Sequence, residues 1–189
     1  MLLIGIGVGL ASVAGLRAFL PLAVAGLFAL FGLFEIALPF GLIADPVVLA
    51  ALFVLALVEG GLDKVSSIQR GVNLAMIPLR VISGAILFAA ATGAGLYASA
   101  APELVAGGVI AGVVAVLKVM LRPSGSASSA GVSQNSLSGF EDLVSFVGGA
   151  VAVFVPFLTA VFAAFVLFFF YRVKKRRGRK YEGLRILGD

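Results

Sequence analysis

Five apolar stretches, separated by short polar or proline-bearing turns, account for most of the chain. The first, residues 2–34, exceeds the ~20 residues of an upright membrane helix. It carries Gly5, Gly7, Gly9 and Gly15, then Arg17 and Pro21. Proline lacks an N–H and its ring clashes with the carbonyl four residues back, so this stretch predicts a broken helix. Residues 35–46, with Glu35, Pro39, Gly41 and Pro46, predict a turn. The second stretch, 47–65, ends in VEGGLDKV, and the third, 74–97, opens with Pro78 and Arg80. The fourth, 104–121, carries Gly108 and Gly112, a small-xxx-small face suited to close helix contact. Residues 122–139, RPSGSASSAGVSQNSLSG, are polar and predict a flexible loop. The fifth stretch, 140–171, is again too long for one span and contains Pro156.

The pattern predicts an all-α, polytopic transmembrane bundle of five to six membrane segments, the first and last broken at proline. Residues 1–171 form the transmembrane domain and 172–189 a basic cytoplasmic tail. AFLPLAVAGLFA at 18–29 and VFVPFLTAVFAA at 153–164 both place Phe two residues before Pro and return to Ala-rich helix. They are a candidate internal repeat, the form in which transporter cores pair broken helices. Five simple spans would put the basic tail opposite the loops holding Lys64, Arg70, Lys118 and Arg122, against the positive-inside rule. A fifth segment that turns back at Pro156 puts all of them on the cytoplasmic side, and is preferred.

Composition narrows the chemistry. Of 189 residues 61% are hydrophobic and 12% charged, which excludes an ordinary soluble globule. His and Cys are absent, removing thiol nucleophiles, disulfides and the usual zinc or copper sites; no metal and no cofactor is expected. The net charge of +5 is concentrated in residues 172–189, which hold eight Lys or Arg and two acidic residues. That run reads as an anchor for anionic headgroups rather than for nucleic acid, since no aromatic platform accompanies it. The N-terminus has no basic n-region, so no removable signal peptide is expected. The expected location is the prokaryotic plasma membrane, multi-pass, with the C-terminus cytoplasmic.

Candidate site residues are the charges stranded within or beside the apolar stretches: Arg17, Glu59, Asp63, Lys64, Arg80, Lys118, Arg122, Glu141 and Asp142. An Arg near a helix centre costs about 2.5–3.5 kcal/mol on insertion scales and must find a carboxylate, a freed carbonyl or water. Arg17 is therefore expected to pair with Glu59 or Asp63 in the bundle interior. Glu59 and Asp63, spaced i,i+4, share a helix face; they are either an ion- or proton-exchanging pair or a structural ion pair at a helix end. Gly60 and Gly61 would let the backbone loosen there and offer carbonyls. Lys118 and Arg122, also i,i+4, read as an interface anchor or a substrate clamp. Glu141 and Asp142 suit a helix N-terminus, with Ser138 as N-cap.

The order of these motifs resembles a known family. GLRAFLPL at 15–22 is followed by Glu59-x3-Asp63-Lys64, then by Arg80 ahead of Gly84, Lys118 and Arg122-Pro123, and Ser138 with Glu141-Asp142. This is similar to the prokaryotic integral membrane family called domain of unknown function 4126, over about residues 8–160. The family pattern has a proline and further acids after the Asp-Lys pair, where this chain has VSSIQRGVN. The resemblance implies membership and candidate residues, and no activity.

Three functions compete. The first is a small transporter or channel for an ion or small polar solute. The second is a membrane-embedded enzyme acting on a lipid or polyprenyl phosphate head group, which lacks support from any dense acidic metal motif. The third is a structural membrane protein. Expected partners are membrane lipids, an unidentified ion or solute, and a second copy of the chain.

Overall fold

The computed structural model describes residues 2–33, 35–36, 39–65, 67–93, 100–121, 134–156 and 158–185. Among them every regular element is helical: α1 (Leu2–Ala14), α2 (Phe19–Leu30), α3 (Pro46–Leu62), α4 (Gln69–Ala75), α5 (Ile77–Thr92), α6 (Ala101–Leu121), α7 (Gln134–Phe154) and α8 (Leu158–Arg185). A 3-10 turn, Phe40–Ala44, precedes α3. Asp45 caps α3, accepting from the Val47 and Val48 amides at 2.8 and 3.2 Å. Pro46 occupies the first turn, where a missing N–H is harmless.

Contacts between named residues fix the helix directions. Val13 of α1 lies at Gly148 and Gly9 at Ala152, so α1 runs against α7. Pro21 and Val24 of α2 lie at Gly149, and Phe28 meets Phe154 with ring centroids 5.8 Å apart, so α2 runs with α7. α1 and α2 are thus opposed, a hairpin whose tip is residues 15–18. Thr159 Oγ1 donates to the Gly148 carbonyl at 3.1 Å, and Phe140 packs on Phe165 and Phe169. α8 therefore folds back along α7 after a bend at Val155 and Pro156.

The tip of the first hairpin precedes Pro21, which sits in the first turn of α2. A continuous helix would require Pro21 to donate to the Arg17 carbonyl, which it cannot do. Gly15 then allows α1 to end against α6: a Cβ there would lie 2.6 Å from Val114 Cβ and 2.7 Å from the Ala111 carbonyl.

Small residues close the centre. α5 and α6 run antiparallel, and a Cβ on Gly107 would overlap the Gly84 carbonyl and Phe88 Cβ. The predicted Gly108 and Gly112 face lies on Val81, with Gly107 and Ala111 the more tightly packed pair. α1 is buried along most of its length.

Several boundaries differ from the sequence reading. α7 begins at Gln134 rather than 140, taking the end of the predicted loop into helix. Ser138 is therefore an interior residue of α7, not an N-cap. α3 runs unbroken to Leu62 through Gly60 and Gly61, so the backbone there is not loosened. α8 continues past Tyr171 through the basic run to Arg185.

The surface is inverted relative to a soluble protein. Val47 and Leu57 are each 77% exposed, while Arg17, Glu59, Arg80 and Lys118 are at most 1% exposed. Ala101–Leu121 and Asn135–Phe154 are each long and apolar enough to cross a membrane, and α4 with α5, bent by 43°, makes a third candidate. Apolar residues facing outward round a charged interior are what hydrocarbon as solvent selects.

Candidate functional site: a charged socket around the hairpin tip

The helix directions bring one end of α3, α4, α5, α6 and α7 to the tip of the α1–α2 hairpin. The unwound tip exposes backbone groups that no helix satisfies, and in a buried setting each needs a partner. Side chains from other helices supply them. Lys118 Nζ of α6 donates to the Leu16 carbonyl at 2.7 Å. Ser83 Oγ of α5 donates to the Ala18 carbonyl. The Glu59 carboxylate of α3 accepts from Ala18 N at 2.9 Å and Phe19 N at 3.3 Å. α2 has no capping side chain of its own. Glu59 caps it from another helix, its negative charge at the positive end of the helix dipole.

Arg17 projects from the tip and joins two helices. Its Nη2 lies 3.0 Å from Asp63 Oδ2 of α3 and 2.8 Å from Asp142 Oδ1 of α7, with Glu141 Oε2 at 3.9 Å. It also donates to Ser138 Oγ at 2.9 Å, and Nη1 reaches the Glu59 carbonyl at 3.5 Å. Gly60 lies beside this junction, where a Cβ would make ordinary contact, 3.6 Å, with Asp142 Oδ2.

A second arm runs through α4 and α5. Asn73 Nδ2 donates to Asp63 Oδ1 at 2.7 Å, and Asn73 Oδ1 accepts from Arg80 Nη2 at 2.9 Å. Arg80 Nη2 also meets Glu59 Oε1 at 3.3 Å. Gln69 reaches Asp63 Oδ1 at 3.5 Å. A third contact, Lys118 Nζ to Glu141 Oε2 at 2.7 Å, ties α6 to α7. The described cluster thus holds three cations and four carboxylates. Asp142, with its side chain 33% exposed, reaches the surface, whereas Glu141 is fully buried.

Of the residues picked from sequence, Arg17, Glu59, Asp63, Arg80, Lys118, Glu141 and Asp142 converge here. Arg17 takes Asp63 by side chain and Glu59 by backbone. Lys64 is exposed. Arg122 lies outside the described residues. Gln69, Asn73, Ser83 and Ser138 were not selected as site residues. Gln69, Asn73 and Arg80 follow at i, i+4 and i+11, a polar stripe on one helical face that sequence periodicity could have revealed. Gln69 and Asn73 lie within VSSIQRGVN, and both donate to Asp63 Oδ1.

Among the described residues no group of three or more acidic side chains is arranged to hold a metal ion. A continuous chain of polar contacts runs from Asp142 through Arg17 to Asp63, Asn73, Arg80 and Glu59. No curated protein and no solved structure matches the chain. The model of one family, described as a domain of unknown function (DUF4126), matches residues 4–176. The chain with this buried socket belongs to that family.

Proposed function

We propose that the protein is a small membrane transporter or channel for an ion or small polar solute, with the charged socket as its site and the α1–α2 hairpin as its movable element. The observation that carries this reading is Arg17, which bonds Asp63 and Asp142 on two different helices from the tip of a broken helix pair. Seven ionisable groups are retained at the converging helix ends where apolar side chains would pack, and retained charges of this kind within a membrane protein mark functional sites. Broken helices whose ends converge on buried charges are how membrane transporters build solute sites.

In this reading α3, α5 with α4, α6, α7 and α8 cross the membrane, and the α1–α2 hairpin enters from the outer face. Lys64, Arg70, Lys118 and the basic end of α8 then share the cytoplasmic side, in accord with the positive-inside rule. Asp142 gives the socket its opening on that side.

The test is flux of Na⁺, K⁺, H⁺, chloride and inorganic phosphate through proteoliposomes of wild-type protein, Arg17→Lys and Asp142→Asn. One of these species should move with the wild type. Losing a bidentate-capable guanidinium or a charge-assisted bond of about 1.5–3 kcal/mol should change that flux roughly tenfold or more. Flux that is equal in all three proteins removes the socket from the pathway. No flux of any species, with correctly folded protein, refutes the reading for these solutes.

A further inference from the structure

Away from the socket, an apolar groove of about 220 Å³ opens on the outward side of the α7–α8 hairpin, lined by Phe140, Leu143, Val144, Val147 and Phe165. Leu143 and Phe165 are more than half exposed on its rim. No polar atom contributes to its wall. In a membrane such a groove is filled by hydrocarbon, and what selects one lipid is what stands at its end.

Phe140 and Phe169 are level, with ring centroids 5.5 Å apart. From there the groove extends along α7 to Val147, seven residues and about 10 Å at 1.5 Å per residue. In the opposite direction α8 continues to Arg172, three residues beyond Phe169 and seven beyond Phe165. These spacings put Arg172 on the helical face of the two phenylalanines. Lys175 follows one turn later, its Nζ 5.8 Å from the Tyr171 ring centre. Both cations are exposed, and among the described residues neither is paired with a carboxylate. Apolar slot and Arg172 therefore lie in line along one hairpin, with Lys175 one turn further and to the side of Tyr171, in the order of a phospholipid's chain and phosphate.

We infer that this groove binds one acyl chain of an anionic phospholipid, with its phosphate held by Arg172 and Lys175. The match is with both halves of the molecule at once. A free phosphate would use the cations alone, and a neutral lipid the groove alone. The inference rests on the membrane reading and is independent of transport.

The test uses the full chain in detergent, titrated with dioleoyl-phosphatidylglycerol, dioleoyl-phosphatidylcholine or inorganic phosphate, and read by native mass spectrometry and by thermal stability. The anionic lipid should bind roughly tenfold more tightly than the zwitterionic one, since each basic residue near a headgroup adds to the attraction. Arg172→Gln with Lys175→Gln should bring the two lipids to within about twofold while keeping chain binding. Val147→Trp, which fills the groove from its exposed rim, should weaken both lipids several-fold. A preference that survives the double substitution, or lipid binding untouched by Val147→Trp, overturns the proposal. Displacement of the lipid by inorganic phosphate at equal concentration would show an anion site with no role for the groove. Gel filtration and circular dichroism of each variant establish that it is folded, and flux is not needed for any readout.

Discussion

Replacing Glu59 separates its two duties, capping α2 and pairing Arg80. Glu59→Leu removes the acceptor for Ala18 N and Phe19 N and leaves Arg80 with Asn73 alone. Breaking a buried ion pair from one side costs about 3–5 kcal/mol, and an orphaned buried donor about 1–3 kcal/mol. Part of the second figure is contained in the first, so a total loss of about 4–6 kcal/mol is expected from these terms. Glu59→Gln keeps one oxygen for the Ala18 amide and loses only the charge, so the loss should fall to about 2–3 kcal/mol. Unfolding free energy in bicelles, by steric trapping, gives the totals. Hydrogen exchange at residues 18–20 gives the local effect, which should rise strongly in the Leu variant and modestly in the Gln variant. A cycle with Arg80→Gln should show coupling of about 1 kcal/mol or more, because the two side chains touch. Leu and Gln variants of equal stability, or unchanged exchange at the tip, would refute the capping role and with it the socket as described.

Gly107→Ala should destabilise by about 1–3 kcal/mol in the same unfolding assay, because the added methyl meets the Gly84 carbonyl and Phe88. Gly61→Ala, where a Cβ meets nothing, should instead be neutral or stabilise by up to about 1 kcal/mol through helix propensity. Cysteines introduced at Leu33 and at Tyr181 (the chain has none of its own) should label from opposite sides of the membrane. Labelling from one side would overturn the arrangement in which the hairpin enters opposite the basic end of α8.

Much of the socket was legible because charge is conspicuous in an apolar sequence. Arg17 had to find a carboxylate, and Glu59 and Asp63 were the inner acids at hand. The partners that share this work, Asn73, Gln69, Ser83 and Ser138, are neutral and common in loops, so composition alone gives them no weight. Ser138 was misplaced because the polarity of GVSQNSLSG resembles linker, whereas residues 134–139 are held in helix by burying Leu137 and Ser138. Gly60 and Gly61 suggested unwinding, but both lie in continuous helix, where a Cβ would find ordinary contact at Gly60 and open space at Gly61. The break before Pro21 could be placed only by following the ring's effect back to the Arg17 carbonyl, rather than assigning the break to the proline itself.

The two hairpins point in opposite directions. The α1–α2 tip lies in the charged end of the bundle, and the α7–α8 turn lies at the other. Their contact is a seam of small or short side chains: Gly9 on Ala152 and Thr159, Gly148 on Val13, Gly149 on Val24. Val13 and Val24 fit the notches at Gly148 and Gly149 and Phe28 meets Phe154, while the polar bonds of Lys118, Glu59, Ser83 and Arg17 hold the tip in place. In the proposed transport reading, sliding of α1–α2 past α7 requires release of the socket bonds, for which solute or protons can compete. A cross-link tests this directly. A Cβ on Gly9 would lie 3.3 Å from Ala152 Cβ, close to the separation a disulfide spans. Gly9→Cys with Ala152→Cys should oxidise readily in this cysteine-free chain. If transport requires the hairpin to slide, flux in proteoliposomes should fall roughly tenfold on oxidation and return with reductant, because a covalent tie removes the second conformation. Flux that is unchanged in the oxidised protein would mean that α1 and α7 stay in register throughout, and that the socket works with the hairpin fixed.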